Sequence, residues 1–159
     1  MILHNYFRSS ASFRVRIALN LKGLPYDYVS VHLPKGEHKN PEYASLAADG
    51  LVPLLDTGAD KLSQSMAIIE YLDETHPSPA LLPASATGRA RVRALAQSIA
   101  CEIHPLNNLR VLKYLVGPLQ LSDEQKNTWY AHWIHEGFKT LEALLPNHDG
   151  WCVGDGPTM

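Results

Sequence analysis

The sequence predicts an α/β layer followed by an all-helical region. Two observations carry this. The first half alternates short β-prone runs with amphipathic helical stretches in the order β-α-β-(α)-β-β-α, which argues for a mixed four-stranded sheet covered by helices. Composition then shifts at His76-Pro77-Ser78-Pro79-Ala80-Leu81-Leu82-Pro83, where closely spaced prolines make a stiff segment, and the chain beyond it reads as helical. We therefore expect one domain over residues 1–76, a linker over 77–86 and a helical domain over 87–159.

Each element has its own signal. Residues 2–7 are short and β-prone, and predict the first strand. Over 13–22, Val15, Ala18, Leu19 and Lys22 recur at helical spacing; Gly23 ends the helix and Pro25 forbids its continuation. Residues 26–33 alternate through Tyr26, Tyr28, Val29 and Val31 and predict a second strand. The polar stretch 34–49 holds a short helix after Pro41. Residues 51–56 and 61–63 flank the turn Asp56-Thr57-Gly58-Ala59-Asp60 and read as a β-hairpin. A helix over 65–75 places Ile68, Ile69 and Leu72 on one face. Thr87 is expected to cap a long helix over about 88–115, bent or paused at Pro105. Ser122 with Gln125 three residues on forms a capping box for a helix to about residue 145, with a loop over 146–156. The run Gly154-Asp155-Gly156-Pro157-Thr158 resembles the run-in to another helix, so the chain reads as a fragment or a truncated gene product.

Composition narrows the function. The 159 residues carry 14 basic and 16 acidic side chains, a net charge of −2, and are 45% hydrophobic. Such a chain has too much apolar content for a disordered one. It lacks the basic excess by which a protein displaces phosphate counterions, so a nucleic-acid partner is not expected. No apolar run reaches the roughly 20 residues that cross a bilayer, and the start MILHNYFRSS has no signal-peptide character. Cys101 and Cys152 lie far apart, and free thiols in a reducing cytoplasm are the expectation. His132 and His135 sit three apart without a third ligand, so no metal site is expected.

Four constellations have the character of a binding site. Arg8-Ser9-Ser10-Ala11-Ser12 lies between the first strand and first helix, where unpaired N–H groups and a partial positive charge favour an anion. Gln64-Ser65 opens a second helix in the same way. Val52-Pro53 precedes the hairpin; a cis bond there would hold the Val52 backbone outward to pair with an extended, peptide-like ligand. In the helical half, His104, Asn107 or Asn108, and Arg110 are expected to share a helix face toward a cleft. Each of the two helix starts is equally compatible with ordinary capping.

Together these features resemble the zeta class of the glutathione transferase family. Ser9-Ser10-Ala11-Ser12-Phe13-Arg14-Val15-Arg16-Ile17-Ala18-Leu19 is similar to the class signature, with alanine where the signature has cysteine. Leu51-Val52-Pro53, Gln64-Ser65-Met66-Ala67-Ile68-Ile69-Glu70-Tyr71-Leu72, Leu81-Leu82-Pro83 and His104-Pro105-Leu106-Asn107-Asn108 match as well. The resemblance implies a thioredoxin-like domain joined to an all-α domain, here incomplete because family members are longer. It implies glutathione as cofactor and the isomerisation of maleylacetoacetate or maleylpyruvate, a small dicarbonyl acid, in the breakdown of aromatic compounds. By the resemblance Ser9 activates the sulfur with Ser10 and Ser12 nearby, and Arg8 reaches the substrate. Val52 pairs with the cysteinyl backbone, Gln64 and Ser65 hold the γ-glutamyl carboxylate, and His38 lies near the glycyl end. His104, Asn108 and Arg110 approach from the helical domain. A cytoplasmic homodimer is implied too. The alternatives are a general transferase that conjugates electrophiles and a non-catalytic glutathione-binding protein.

Overall fold

The β-prone amino terminus forms β1 (Ile2–Asn5), an inner strand of a four-stranded sheet in a computed structural model that describes residues 1–145 and 150–159. The order is β2-β1-β3-β4. β2 (Asp27–Ser30) runs parallel to β1, whereas β3 (Leu54–Asp56) and β4 (Lys61–Ser63) form the antiparallel hairpin, with β3 also antiparallel to β1. In this register Leu3 lies opposite Leu55 and His4 opposite Leu54. Because side chains alternate along a strand, the first pair and the second lie on opposite faces of the sheet.

Helices cover this core. α1 (Ser10–Leu21) and α3 (Ser65–Thr75) pack against each other and bury Val15, Ala18 and Leu19 from one, Ile68, Ile69 and Leu72 from the other. Full burial of an aliphatic side chain is worth about 1.5–3 kcal/mol. α2 (Pro41–Leu46) brings Tyr43 to the face of His4 and Leu54, with the Tyr43 and His4 rings 5.9 Å apart. There Tyr6, Val31, Tyr43, Ala47, Val52 and Leu54 form one apolar cluster.

The carboxyl ends of α1 and α3 are tied by one lysine. Lys22 Nζ donates to Asp73 Oδ1 at 2.8 Å, to the His76 carbonyl at 2.7 Å and to the Pro79 carbonyl at 2.8 Å. Asp73 Oδ1 also accepts the Leu81 N–H at 2.7 Å. The proline-rich segment up to Leu81 is thereby fastened to the sheet-bearing unit, Met1–Leu81; the second compact unit is Leu82–Met159.

The second unit is helical. α4 (Ala86–Gln97) passes into a π-helical turn (Ser98–Ile103) and a 3₁₀ turn (His104–Asn107), and α5 (Leu109–Val116) and α6 (Asp123–Leu144) follow. Among the described residues no helix is long and apolar enough to cross a membrane.

Several expectations need correction. The first helix begins at Ser10, before Phe13. β2 shows no alternation, because it is an edge strand with all four residues exposed. Ser85, not Thr87, caps α4: its Oγ accepts the Gly88 N–H at 3.1 Å. The expected long helix does pause at Pro105, which sits in the 3₁₀ turn and lacks an N–H, but its regular α-helical course already ends at Gln97, ahead of the π-helical turn. The capping box at Ser122 and Gln125 is present in full. Of the loop expected over 146–156, residues 146–149 lie outside the described residues.

Candidate functional site

The turn that follows β1 delivers Ser9. The Ser9 N–H bonds to the Tyr6 carbonyl at 2.9 Å, and the Phe13 N–H returns to the Ser9 carbonyl at 2.9 Å. Ser9 has extended backbone angles and is the N-cap of α1: its Oγ accepts the Ser12 N–H at 3.2 Å. A hydroxyl has two acceptor positions and one donor. Capping uses an acceptor, so the half-buried Ser9 keeps its O–H for a ligand. Arg8 and Ser10 are exposed on either side. Ser12 is different: it is 0% exposed. The expectation that its hydroxyl touches glutathione is corrected, because the side chain points into the fold and only its N–H serves the turn.

Sequence reasoning passed over Arg16. Its Nη2 donates to the Phe7 carbonyl at 3.1 Å, and its guanidinium lies 5.3 Å from the Phe13 ring centroid. It steadies the turn that carries Arg8 and Ser9. The signal was the second arginine of the Arg14-Val15-Arg16 run, two turns along the helix from Ser9.

The start of α3 is built otherwise. Gln64 stands at the N-cap with φ 66° and ψ 113°, an unusual conformation for a residue other than glycine, and its side chain bonds to none of the first-turn N–H groups. Ser65 is buried immediately behind it. The first-turn N–H groups of an α-helix have no partner inside the helix, so this end has the donor set and the dipole for a carboxylate. Val52 precedes β3. The Val52–Pro53 bond is cis, and among the described residues neither the N–H nor the C=O of Val52 pairs with another backbone group. Its side chain is buried in the apolar cluster. His38, half-buried, belongs to the short 3₁₀ turn Glu37–Lys39.

The helical unit carries the remaining expected residues. They do not share one helix face. His104 opens the 3₁₀ turn, Asn108 caps α5 with its Oδ1 accepting the Val111 N–H at 3.1 Å, and exposed Arg110 lies in the first turn of α5. The segment is held from α6: Trp129 Nε1 donates to the Leu106 carbonyl at 2.9 Å, and Asn107 Nδ2 to the Tyr130 carbonyl at 3.2 Å. Among the described residues no group of three or more His, Cys, Asp or Glu is placed to hold a metal ion.

Comparison with known proteins then places the chain. Residues 8–75 match the model of the glutathione S-transferase N-terminal domain. A maleylpyruvate isomerase from Ralstonia is 51% identical over 100% of this chain and 76% of the relative. A probable maleylacetoacetate isomerase from Vibrio cholerae is 51% identical over 98% and 74%. The chain belongs to the zeta class of glutathione transferases. Its fold superposes on the holo structure of a bacterial maleylpyruvate isomerase of that class with a TM-score of 0.96 and 52% identity, covering 99% of this chain and 76% of the other. The maleylacetoacetate isomerase of Anaeromyxobacter dehalogenans, seen with dicarboxyethyl glutathione and citrate in its active site, gives a TM-score of 0.83 at 37% identity, covering 98% and 73%. The family is one of glutathione-dependent isomerases with a thioredoxin-like first domain. In this zeta-class chain, the spare Ser9 O–H, the unpaired Val52 backbone and the uncapped α3 start fit a thiol, a peptide and a carboxylate in turn.

Proposed function

We propose that this chain isomerises the cis double bond of a maleyl dicarbonyl acid, maleylacetoacetate or maleylpyruvate, with glutathione held by its first unit. The observation that carries the reading is the start of α3, where Gln64 adopts a positive φ and the first-turn N–H groups have no side-chain cap. Such a start suits the γ-glutamyl carboxylate, with Gln64 and Ser65 as its side-chain partners. Val52 pairs with the cysteinyl backbone and His38 lies toward the glycyl end.

When bound, glutathione supplies a thiol whose addition to one alkene carbon leaves a rotatable single bond and whose elimination restores the double bond. Dicarboxyethyl glutathione, bound by the Anaeromyxobacter relative, is what thiol addition across a butenedioate double bond gives. The chain's own task is to stabilise the thiolate. A free thiol has a pKa of about 8.5, and lowering it by ~2 units takes about 2.7 kcal/mol. The α1 dipole contributes about 0.3–1 kcal/mol. A hydrogen bond from the Ser9 hydroxyl to charged sulfur contributes about 1.5–3 kcal/mol, with Ser10 beside it. Arg8, exposed ahead of Ser9, holds the substrate carboxylate. A cytoplasmic homodimer completes this reading, and sedimentation of a monomer would remove that part.

A pH titration of bound glutathione, followed by thiolate absorbance in the ultraviolet, tests the reading. A saturable signal with a thiol pKa well below the free value is expected; no saturable signal overturns it. Turnover of the maleyl acids faster than conjugation of a chlorinated aromatic separates isomerase from general transferase.

A further inference from the structure

The turn between α2 and β3 is bonded at nearly every step. The Ala47 N–H meets the Tyr43 carbonyl at 2.9 Å, and the Gly50 N–H meets the Ala47 carbonyl at 2.9 Å. Gly50 has a φ of 60°, and a Cβ there would lie 3.3 Å from the His38 carbonyl oxygen, so glycine is favoured. The Leu51 N–H donates to Asp49 Oδ1 at 3.0 Å. Finally the Tyr43 hydroxyl donates to the Leu51 carbonyl at 2.5 Å. Leu51 is thus held at both its donor and its acceptor, and the pattern stops at Val52.

The peptide joining Leu51 to Val52 is planar and trans, so its C=O and N–H point in opposite directions. A bond that fixes the Leu51 carbonyl therefore aims the Val52 N–H away from Tyr43. The ring of Tyr43 packs in the same apolar cluster as the Val52 side chain. The phenol is only 6% exposed. Burial, with the charge of Asp49 adding to it, pushes its pKa far above the usual tyrosine range, which keeps it a donor. A buried hydroxyl without a partner is costly, and a phenylalanine would fill the same apolar space. The hydroxyl is explained by the carbonyl it meets.

We propose that Tyr43 is a positioning residue for glutathione binding, its phenol holding the Leu51–Val52 peptide so that the Val52 N–H is preset for the extended ligand. The assignment rests on the reading above, in which Val52 pairs with the cysteinyl backbone. It does not place Tyr43 in contact with the ligand.

The test is Tyr43→Phe in the full chain, with glutathione as the probe. The expected result is a glutathione Kd raised about 3- to 10-fold, a matching rise in the KM for glutathione, and an unchanged kcat and kcat pH profile once glutathione saturates. A loosened fold would instead lower kcat and the ligand-free melting midpoint together. Asp49→Ala, at an exposed residue that grips the same turn from the other side, must raise the Kd in the same direction and guards against a Tyr43→Phe chain that does not fold. Wild-type binding with both variants inside twofold of it overturns the role of Tyr43 alone. A wild-type chain that binds no glutathione overturns the functional reading, and this assignment with it.

Discussion

Helices α1 and α3 pack together in one unit, yet they begin in opposite ways. α1 begins at Ser9 with φ −75° and ψ 118°, and the Ser9 hydroxyl caps the Ser12 N–H. α3 begins at Gln64 with φ 66°, and no side chain caps its first turn. The first start has a side-chain cap on one of its N–H groups, and the capping hydroxyl keeps its own proton to give. The second leaves its backbone donors open and holds a strained residue beside them, at a cost of about 1–3 kcal/mol. A hydroxyl proton is what a thiolate needs, and a row of backbone donors suits a carboxylate. At their other ends the two helices share Lys22 and Asp73.

Four substitutions break or sharpen this contrast. Lys22→Met should have the largest effect, because it strands the buried Asp73 carboxylate; a loss of about 3–5 kcal/mol is expected, read as a shift in the urea midpoint. A loss under about 1 kcal/mol would mean the helices do not depend on that shared end. Ser9→Ala should slow isomerisation about 10- to 100-fold and raise the bound-thiol pKa, since it removes a bond worth about 1.5–3 kcal/mol to a charged group. Loss of the cap should also lower stability by about 1 kcal/mol. An unchanged thiol pKa would reduce Ser9 to a cap. Ser65→Ala should weaken glutathione binding about tenfold at an unaltered thiol pKa, which calorimetry and the ultraviolet titration read separately. Gln64→Gly should act least and in two directions. The melting midpoint should rise by the equivalent of about 1 kcal/mol, while glutathione affinity falls. A variant that gains no stability would show that φ at residue 64 carries no strain.

The sequence displayed some of this and hid the rest for identifiable reasons. The α3 helix, the hairpin and the capping box at Ser122 are short-range features, and each was legible with nearly its observed bounds. Burial of Ser12 was legible too: it stands three residues before Val15, on the face that Ala18 and Leu19 continue. A hydroxyl in a run of serines drew attention to chemistry instead. Local signals did not choose between Ser85 and Thr87, which are two residues apart and both fit to cap. The broken course after Gln97 depends on distant packing. Gly137 of α6 lies so close to Ile103 that a Cβ would fall 2.3 Å from Ile103 Cγ1, and a contact across that span of sequence has no local signature. The positive φ of Gln64 was equally hidden, since glutamine has no preference for it.

The buried ammonium of Lys22 has a practical consequence. Its side chain has no exposed surface and meets three oxygens, whereas every other lysine of the chain is at least partly exposed. An amine-reactive label applied to the native protein marks those others and passes Lys22 by. Modification there, read by mass spectrometry after digestion, begins only when the α1–α3 clasp comes apart. The chain therefore carries its own chemical clock for the opening of its sheet-bearing unit.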